Sequence, residues 1–227
     1  MATATKVWIA LALEALIFAA LLFGSAGTLS WPPAWAFLGV FFVAACLITR
    51  MLARHNPALL RERMSWPVRR AQLPWDRIVM IVFMVLFPGW LALMGLDAVR
   101  FDWSDMPVWL QITGGIGVAA AMSFVYRVFE ENTFLAPIVR IQRERGHNVI
   151  STGPYAVVRH PLYAAVLILF VSTALLLGSW YGLAAVLVLG MGLVFRTAME
   201  DRELRLKLEG YVDYTRRVPY RLFPGVW

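Results

Sequence analysis

Long apolar runs broken by short polar stretches dominate this chain, and the runs are too long for strands. Val7–Phe23 is apolar except for Glu14, and Ala34–Leu52, Ile78–Leu96 and Pro107–Phe129 repeat the pattern. A membrane-spanning helix needs about 20 apolar residues, which these runs approach or reach. Two further arms, Leu162–Leu177 and a run to about Phe195, flank the turn Gly178-Ser179-Trp180-Tyr181-Gly182. Each arm is near the lower limit for spanning, so a tilted or partial hairpin is expected there. The first run is longer than the apolar core of a usual signal peptide and reads as a span. Glu14 is expensive in hydrocarbon and is expected to face the bundle, and Pro88 is expected to kink the third span. The pattern therefore predicts an all-α fold, a polytopic integral membrane helical bundle of about six segments.

Charge orients this bundle. Arg50, Arg54, Arg61, Arg63, Arg69, Arg70 and Arg77 crowd the connection after the second run, whereas Asp97–Met106 holds three aspartates against Arg100. Positive charge favours the cytoplasmic side, which places the Arg54–Arg77 loop and both termini there. Within that loop NPALLRERM has the length of an interfacial helix on anionic lipid, although orientation-setting charge is the simpler account. The 227 residues are 60% hydrophobic and only 15% charged, outside the range of a soluble domain. The net charge of +7 sits beside apolar runs, so no nucleic-acid partner is indicated. Cys46 is the only cysteine and cannot form an internal disulfide. His55, His147 and His160 are scattered without carboxylates at ligand spacing, so no metal site is indicated. Thr113–Gly117 reads TGGIG inside an apolar run with no strand before it. Small residues admitting a close helix neighbour explain it better than a nucleotide loop. Nothing in the pattern sets an oligomeric state.

The chemistry concentrates in Ser151–Tyr163, which reads STGPYAVVRHPLY between two apolar segments. Gly153-Pro154 signals a turn, and Pro161 biases His160 away from helical geometry, so Arg159 and His160 fall at a break before a new helix. Arg196 and Glu200 lie four residues apart on one helix face just past the last run, at the spacing of an ordinary surface ion pair. No Asp–His pair that would make a general base is evident from the order of residues.

GPYxxVRHPxY resembles the signature of the integral-membrane isoprenylcysteine carboxyl methyltransferases and their phospholipid-methyltransferase relatives. Arg196, Glu200-Asp201, Leu204, Tyr211 and Tyr214 resemble the family's second block, with Asp201 standing where the family has a second Glu. The two blocks cover roughly the last third of the chain. The resemblance implies an N-terminal membrane region, 1–129, and a methyltransferase core, 130–227. It implies S-adenosyl-L-methionine as cofactor, bound by Gln142, His147, Asn148, Val149, Ile150, Tyr155, His160, Pro161, Leu162, Tyr163 and Glu200. Glu200 would accept from the donor's ammonium, and His160 or nearby N–H groups would meet its carboxylate. Arg196 would bind and orient the acceptor, a lipophilic small molecule or prenylated cysteine drawn from membrane lipid. A carboxylate acceptor is already ionised and needs no base, whereas an amine must shed a proton. The first expectation is therefore O-methylation of a prenylcysteine carboxylate. The alternatives are N-methylation of a phospholipid amine, S-methylation of a small thiol and, more distantly, NADPH-dependent reduction of a sterol-type substrate. Tyr211 and Tyr214 either fold back over the cofactor or anchor the tail at the interface. The implied location is the inner membrane of a prokaryote or an endomembrane, with the site facing the cytoplasm.

Overall fold

Six long apolar helices form because hydrocarbon offers the backbone no hydrogen-bond partner, so each crossing segment must satisfy its own amides. The computed structural model describes residues 2–64, 68 and 72–227. Its helices are α1 (Ala2–Ala26), α2 (Pro32–His55), α3 (Pro57–Arg63), α4 (Pro74–Gly95), α5 (Val108–Glu131), α6 (Pro161–Leu177), α7 (Trp180–Lys207) and α8 (Tyr211–Arg217). Proline opens α2, α3, α4 and α6, where its missing N–H costs nothing. Pro88 lies inside α4, which continues helically through it. Arg69 and Arg70 of the basic loop lie outside the described residues.

Around the bundle the neighbours run α1–α4–α7–α6–α5–α2 and back to α1, and α6 also touches α2 and α4. The inward place of α6 explains its length. Seventeen residues rise only about 25 Å, short of a 30 Å hydrocarbon core. Among the described residues five helices are long and apolar enough to cross a membrane, and α6 is a shorter apolar helix. At 28 residues α7 has the opposite property: about 42 Å of helix carries its charged C-terminal third beyond the apolar layer.

The α5–α6 contact is the most extensive in the bundle, and glycine lets the two helices approach closely. A Cβ on Gly114 would stand 2.3 Å from the Leu176 nitrogen, and one on Gly117 would stand 2.3 Å from Ser172 Oγ. TGGIG is thus a packing seam, as its setting predicts. Aromatic rings fill the centre, with Phe18 against Phe41, Phe42 and Phe87, and Trp90 edge-on to Phe170. Buried Trp90 satisfies its indole N–H on the Gly182 carbonyl at 2.8 Å. Ile9, Leu13, Ile17, Val82 and Val85 remain exposed, as lipid-facing side chains do.

Two buried carboxylates tie the ends of the bundle. Asp97 opens the acidic connection Asp97–Met106, yet it is fully buried. It accepts from both Ser104 Oγ, at 2.7 Å, and Ser179 Oγ, joining that connection to the α6–α7 turn. At the other end Asp76 anchors the start of α4, described below. The basic loop also makes tertiary contacts. Asn56 caps α3 by accepting from the Leu59 N–H at 3.0 Å, Glu62 pairs with Arg140, and the Arg63 guanidinium lies 4.5 Å over the Phe129 ring.

Candidate active site

Where α6 and α7 leave the apolar layer, the connection from 132 to 160 and helix α8 close a cavity of about 360 Å³. Local sequence builds each wall. Gly153 takes φ +54°, and a Cβ there would stand 2.8 Å from a Glu131 carboxylate oxygen, so only glycine fits this turn. The turn runs into a short helix, Gly153–Ala156, which buries Tyr155. Pro161 then opens α6, and His160 before it is extended at φ −127°, ψ 61°, the break that the HP pair predicts.

The cavity is lined by His147, Asn148, Val149, Ile150, Tyr155, His160, Leu162, Tyr163 and Glu200. Three other positions singled out by resemblance lie off its wall. Pro161 is buried at the head of α6. Gln142 is fully buried behind the wall, where its Nε2 donates to the Phe134 carbonyl at 2.6 Å and its Oε1 accepts from Arg145. Arg196 turns away from Glu200: its Nε donates to Asp76 Oδ1 at 2.9 Å and its Nη2 to the Pro137 carbonyl at 2.7 Å. The i,i+4 ion pair suggested by the spacing is not among the described contacts. Asp76 outcompetes Glu200 because it is fully buried, with Gln72 and the Val139 N–H as its other donors.

Glu200 instead lines the cavity and accepts from the Tyr163 hydroxyl through Oε2, while Oε1 has no described partner. Tyr155 accepts from Asn132 at 2.8 Å, and burial pushes its phenol well above the ordinary range. Tyr211 and Tyr214 fold back over the cavity, and the Tyr214 hydroxyl donates to the Tyr155 carbonyl at 2.7 Å. Burial raises both of these phenols too, so all three stay protonated donors. His147 stacks on Phe134 with centroids 4.5 Å apart, forming a flat plate on one wall. Desolvation first, and then the Arg145 and Arg140 charges, hold its pKa down to about 4. It is therefore neutral at physiological pH, and its Nδ1 faces the Gln142 N–H at 3.3 Å.

The most connected group in the region is one that the sequence motif shows only as a departure. Asp201, 1% exposed, accepts from Arg159 Nε at 2.7 Å, Arg205 Nε at 3.0 Å, Arg221 Nε at 3.1 Å and Tyr211 Oη at 3.0 Å. His160 Nε2 lies 3.4 Å from the same Oδ1. A buried Asp–His pair is present after all. It is illegible in sequence because its members are 41 residues apart and meet only when α6 packs on α7. Arg159 also donates to the Val218 and Pro219 carbonyls, and the His160 N–H to the Arg221 carbonyl, so this cluster fastens the C-terminal tail to the site. Residue order did not single out Asn132, Phe134 or Asp76, and it gave Asp201 a place in the second block but no role. A buried charge opposite each arginine was the signal available for the two aspartates.

Residues 110–207 match the phospholipid methyltransferase family. These are integral-membrane methyltransferases related to the isoprenylcysteine carboxyl methyltransferases, so the resemblance read from the two sequence blocks is borne out. The matched stretch runs from α5 to the end of α7 and includes the Asp–His pair and Glu200, while α1–α4 lie outside it. No curated protein matches the chain. The match indicates a membrane methyltransferase.

Proposed function

We propose that this membrane methyltransferase uses S-adenosylmethionine to methylate a lipophilic acceptor drawn from the bilayer. The observation that carries the reading is Glu200, a carboxylate with one oxygen lacking a described partner, in the wall of a cavity of about 360 Å³, within the range of small-molecule sites. The donor set fits the cofactor. Glu200 suits its ammonium, the Phe134–His147 plate and the Tyr155 ring suit its adenine, and the N–H groups of Asn148, Val149 and Ile150 suit its polar edges. When bound, the cofactor supplies an electrophilic methyl on sulfonium. This chain's own residues hold it, align the acceptor and exclude water, since an in-line displacement depends mainly on alignment.

Glu200→Gln keeps the shape of the side chain and removes its charge. Calorimetry in detergent is expected to show S-adenosylmethionine binding weakened by roughly 1.5–3 kcal/mol, the worth of a charge-assisted bond. Unchanged affinity would remove Glu200 from the cofactor site. Binding of NADPH in place of S-adenosylmethionine would turn the reading to a reductase.

For the acceptor, the prenylcysteine carboxylate reading has Arg196 bind and orient that carboxylate, which a guanidinium does best with two N–H groups. With Nε and Nη2 engaged by Asp76 and Pro137, only Nη1 lacks a described partner, which weakens that reading. The phospholipid-amine reading gains the base it lacked in the Asp201–His160 pair.

We propose further that the cavity opens on the cytoplasm of a prokaryotic inner membrane or an endomembrane, on the contrast between the arginine-rich and acidic connections. Reporter fusions after Arg70 and after Asp102 are expected to show opposite sidedness. The same sidedness at both would overturn this arrangement.

A further inference from the structure

Resting on the methyltransferase reading above, we infer that Asp76 is a positioning residue for the cofactor site: together with α3 it clamps one wall of the cavity and sets how tightly the methyl donor is held. The wall needs a clamp. Residues 134–141 supply one side of the cavity, yet they form neither helix nor strand. One backbone–backbone bond is described within the stretch, from the Ala136 N–H to the Phe134 carbonyl at 2.7 Å. Irregular backbone has no ladder to keep its shape, so side chains must meet its polar groups.

Several of those side chains come from the N-terminal half of the chain. Arg63 Nη1 donates to the Leu135 carbonyl at 3.2 Å, and Glu62 pairs with Arg140 at 3.1 Å. The Val139 N–H donates to Asp76 Oδ2 at 3.0 Å. Arg196 then closes a circuit, donating through Nε to Asp76 Oδ1 at 2.9 Å and through Nη2 to the Pro137 carbonyl at 2.7 Å. Pro137 and Val139 are thus fixed two residues apart, one by the carboxylate and the other by the guanidinium that the carboxylate holds. Gln72 Nε2 secures Oδ2 at 2.6 Å, and full burial keeps water from competing for either oxygen.

Asp76 is not one of the lining residues, so it acts through the wall. The wall carries Phe134, the ring that stacks on His147 at 4.5 Å, and any slack at 137–139 is passed to that plate. A wall held in its binding arrangement spares the donor the cost of ordering it. A released wall is in that arrangement only part of the time, and the apparent affinity falls by that fraction. Glu62, Arg63 and Asp76 all precede residues 110–207, the stretch that matches the family. The N-terminal membrane region therefore takes part in the site and is more than its anchor.

The test uses the full chain in detergent with S-adenosylmethionine as the probe. Asp76→Asn keeps the shape of the side chain, exchanges one acceptor oxygen for an NH₂ donor and leaves Arg196 without its countercharge. Calorimetry is expected to show the donor's Kd raised about 5–150-fold, the usual span of coupling between linked sites. Hydrogen exchange of the donor-free variant should quicken at 135–141 while α5 and α6 keep wild-type rates. Asp97→Asn is the comparison, because Asp97 is an equally buried carboxylate at the opposite end of the bundle. It should melt earlier than wild type yet bind the donor within about twofold, as a distant independent site does. Wild type supplies a readout that requires no variant to fold. Linkage is reciprocal, so the donor should slow exchange at 135–141 and also at 59–63 in α3.

Equal weakening of donor binding in Asp76→Asn and Asp97→Asn would make Asp76 a structural residue only and overturn the inference. Wild-type affinity in Asp76→Asn would do the same, as would donor protection that reaches 135–141 and leaves α3 unchanged. In each of these cases wild type binds the donor, so the methyltransferase reading stands. Failure of wild type to bind S-adenosylmethionine would overturn both together.

Discussion

Asp201→Asn is expected to lower the unfolding free energy by about 3–5 kcal/mol, the cost of leaving a buried charge without its partner. The Arg159 side chain is 2% exposed and its Nε rests on Asp201. With the charge gone and one carboxylate oxygen replaced by an NH₂ donor, that guanidinium keeps the Val218 and Pro219 carbonyls and has no countercharge on the variant's single amide oxygen. The tail then loses the charge that holds Arg221, and Tyr211 and Arg159 are left to share one neutral amide oxygen. Thermal unfolding in detergent checks this, with Arg205→Ala as the internal comparison. Arg205 is 42% exposed, so its bond to the same carboxylate is screened and should be worth no more than about 1 kcal/mol. Similar melting for wild type and Asp201→Asn would show that the cluster does not hold the tail.

Gly114→Ala is expected to destabilise the bundle by about 1–3 kcal/mol and to weaken S-adenosylmethionine binding from a distance, whereas Gly115→Ala should be near neutral. The two glycines are neighbours with different surroundings. A methyl at 114 would strike the α6 backbone, 2.3 Å from the Leu176 nitrogen and 2.7 Å from the Ser172 oxygen, and backbone cannot rotate aside. A methyl at 115 meets Leu176 Cδ1 at 3.5 Å, an ordinary contact. The clash pushes α6 from α5, and α6 carries Tyr163, the hydroxyl that holds Glu200. Melting curves and donor titration on both variants provide the check. Equal behaviour of the two would mean that the seam tolerates separation and does not position the site.

Spans and turns were legible because their causes are local. Hydrocarbon demands internally bonded backbone, so the length and hydropathy of a run decide that it is helical whatever it packs against. Gly153-Pro154 and His160-Pro161 act through their own dihedral limits, and they produce the tight turn and the helix start where they stand in the chain. The glycines of TGGIG were readable as a seam for the same reason: an apolar helix with small residues on one face invites a close neighbour.

Partner choice was decided only by the tertiary structure. Arg196 and Glu200 share a helix face, which in an isolated helix favours their pairing, yet Arg196 bonds to Asp76 120 residues away. A fully buried carboxylate without a countercharge costs far more than a surface pair contributes, so the ring order that brings α4 beside α7 dictates the bond. His160 and Asp201 were visible one by one, but as a pair they exist only because α6 lies against α7 with α8 folded over both. Sequence alone determined a helical membrane protein with a polar site at one end of its last helices. The packing order of those helices determined which charges meet, because electrostatic and hydrogen-bond energies depend on distances that chain separation does not encode.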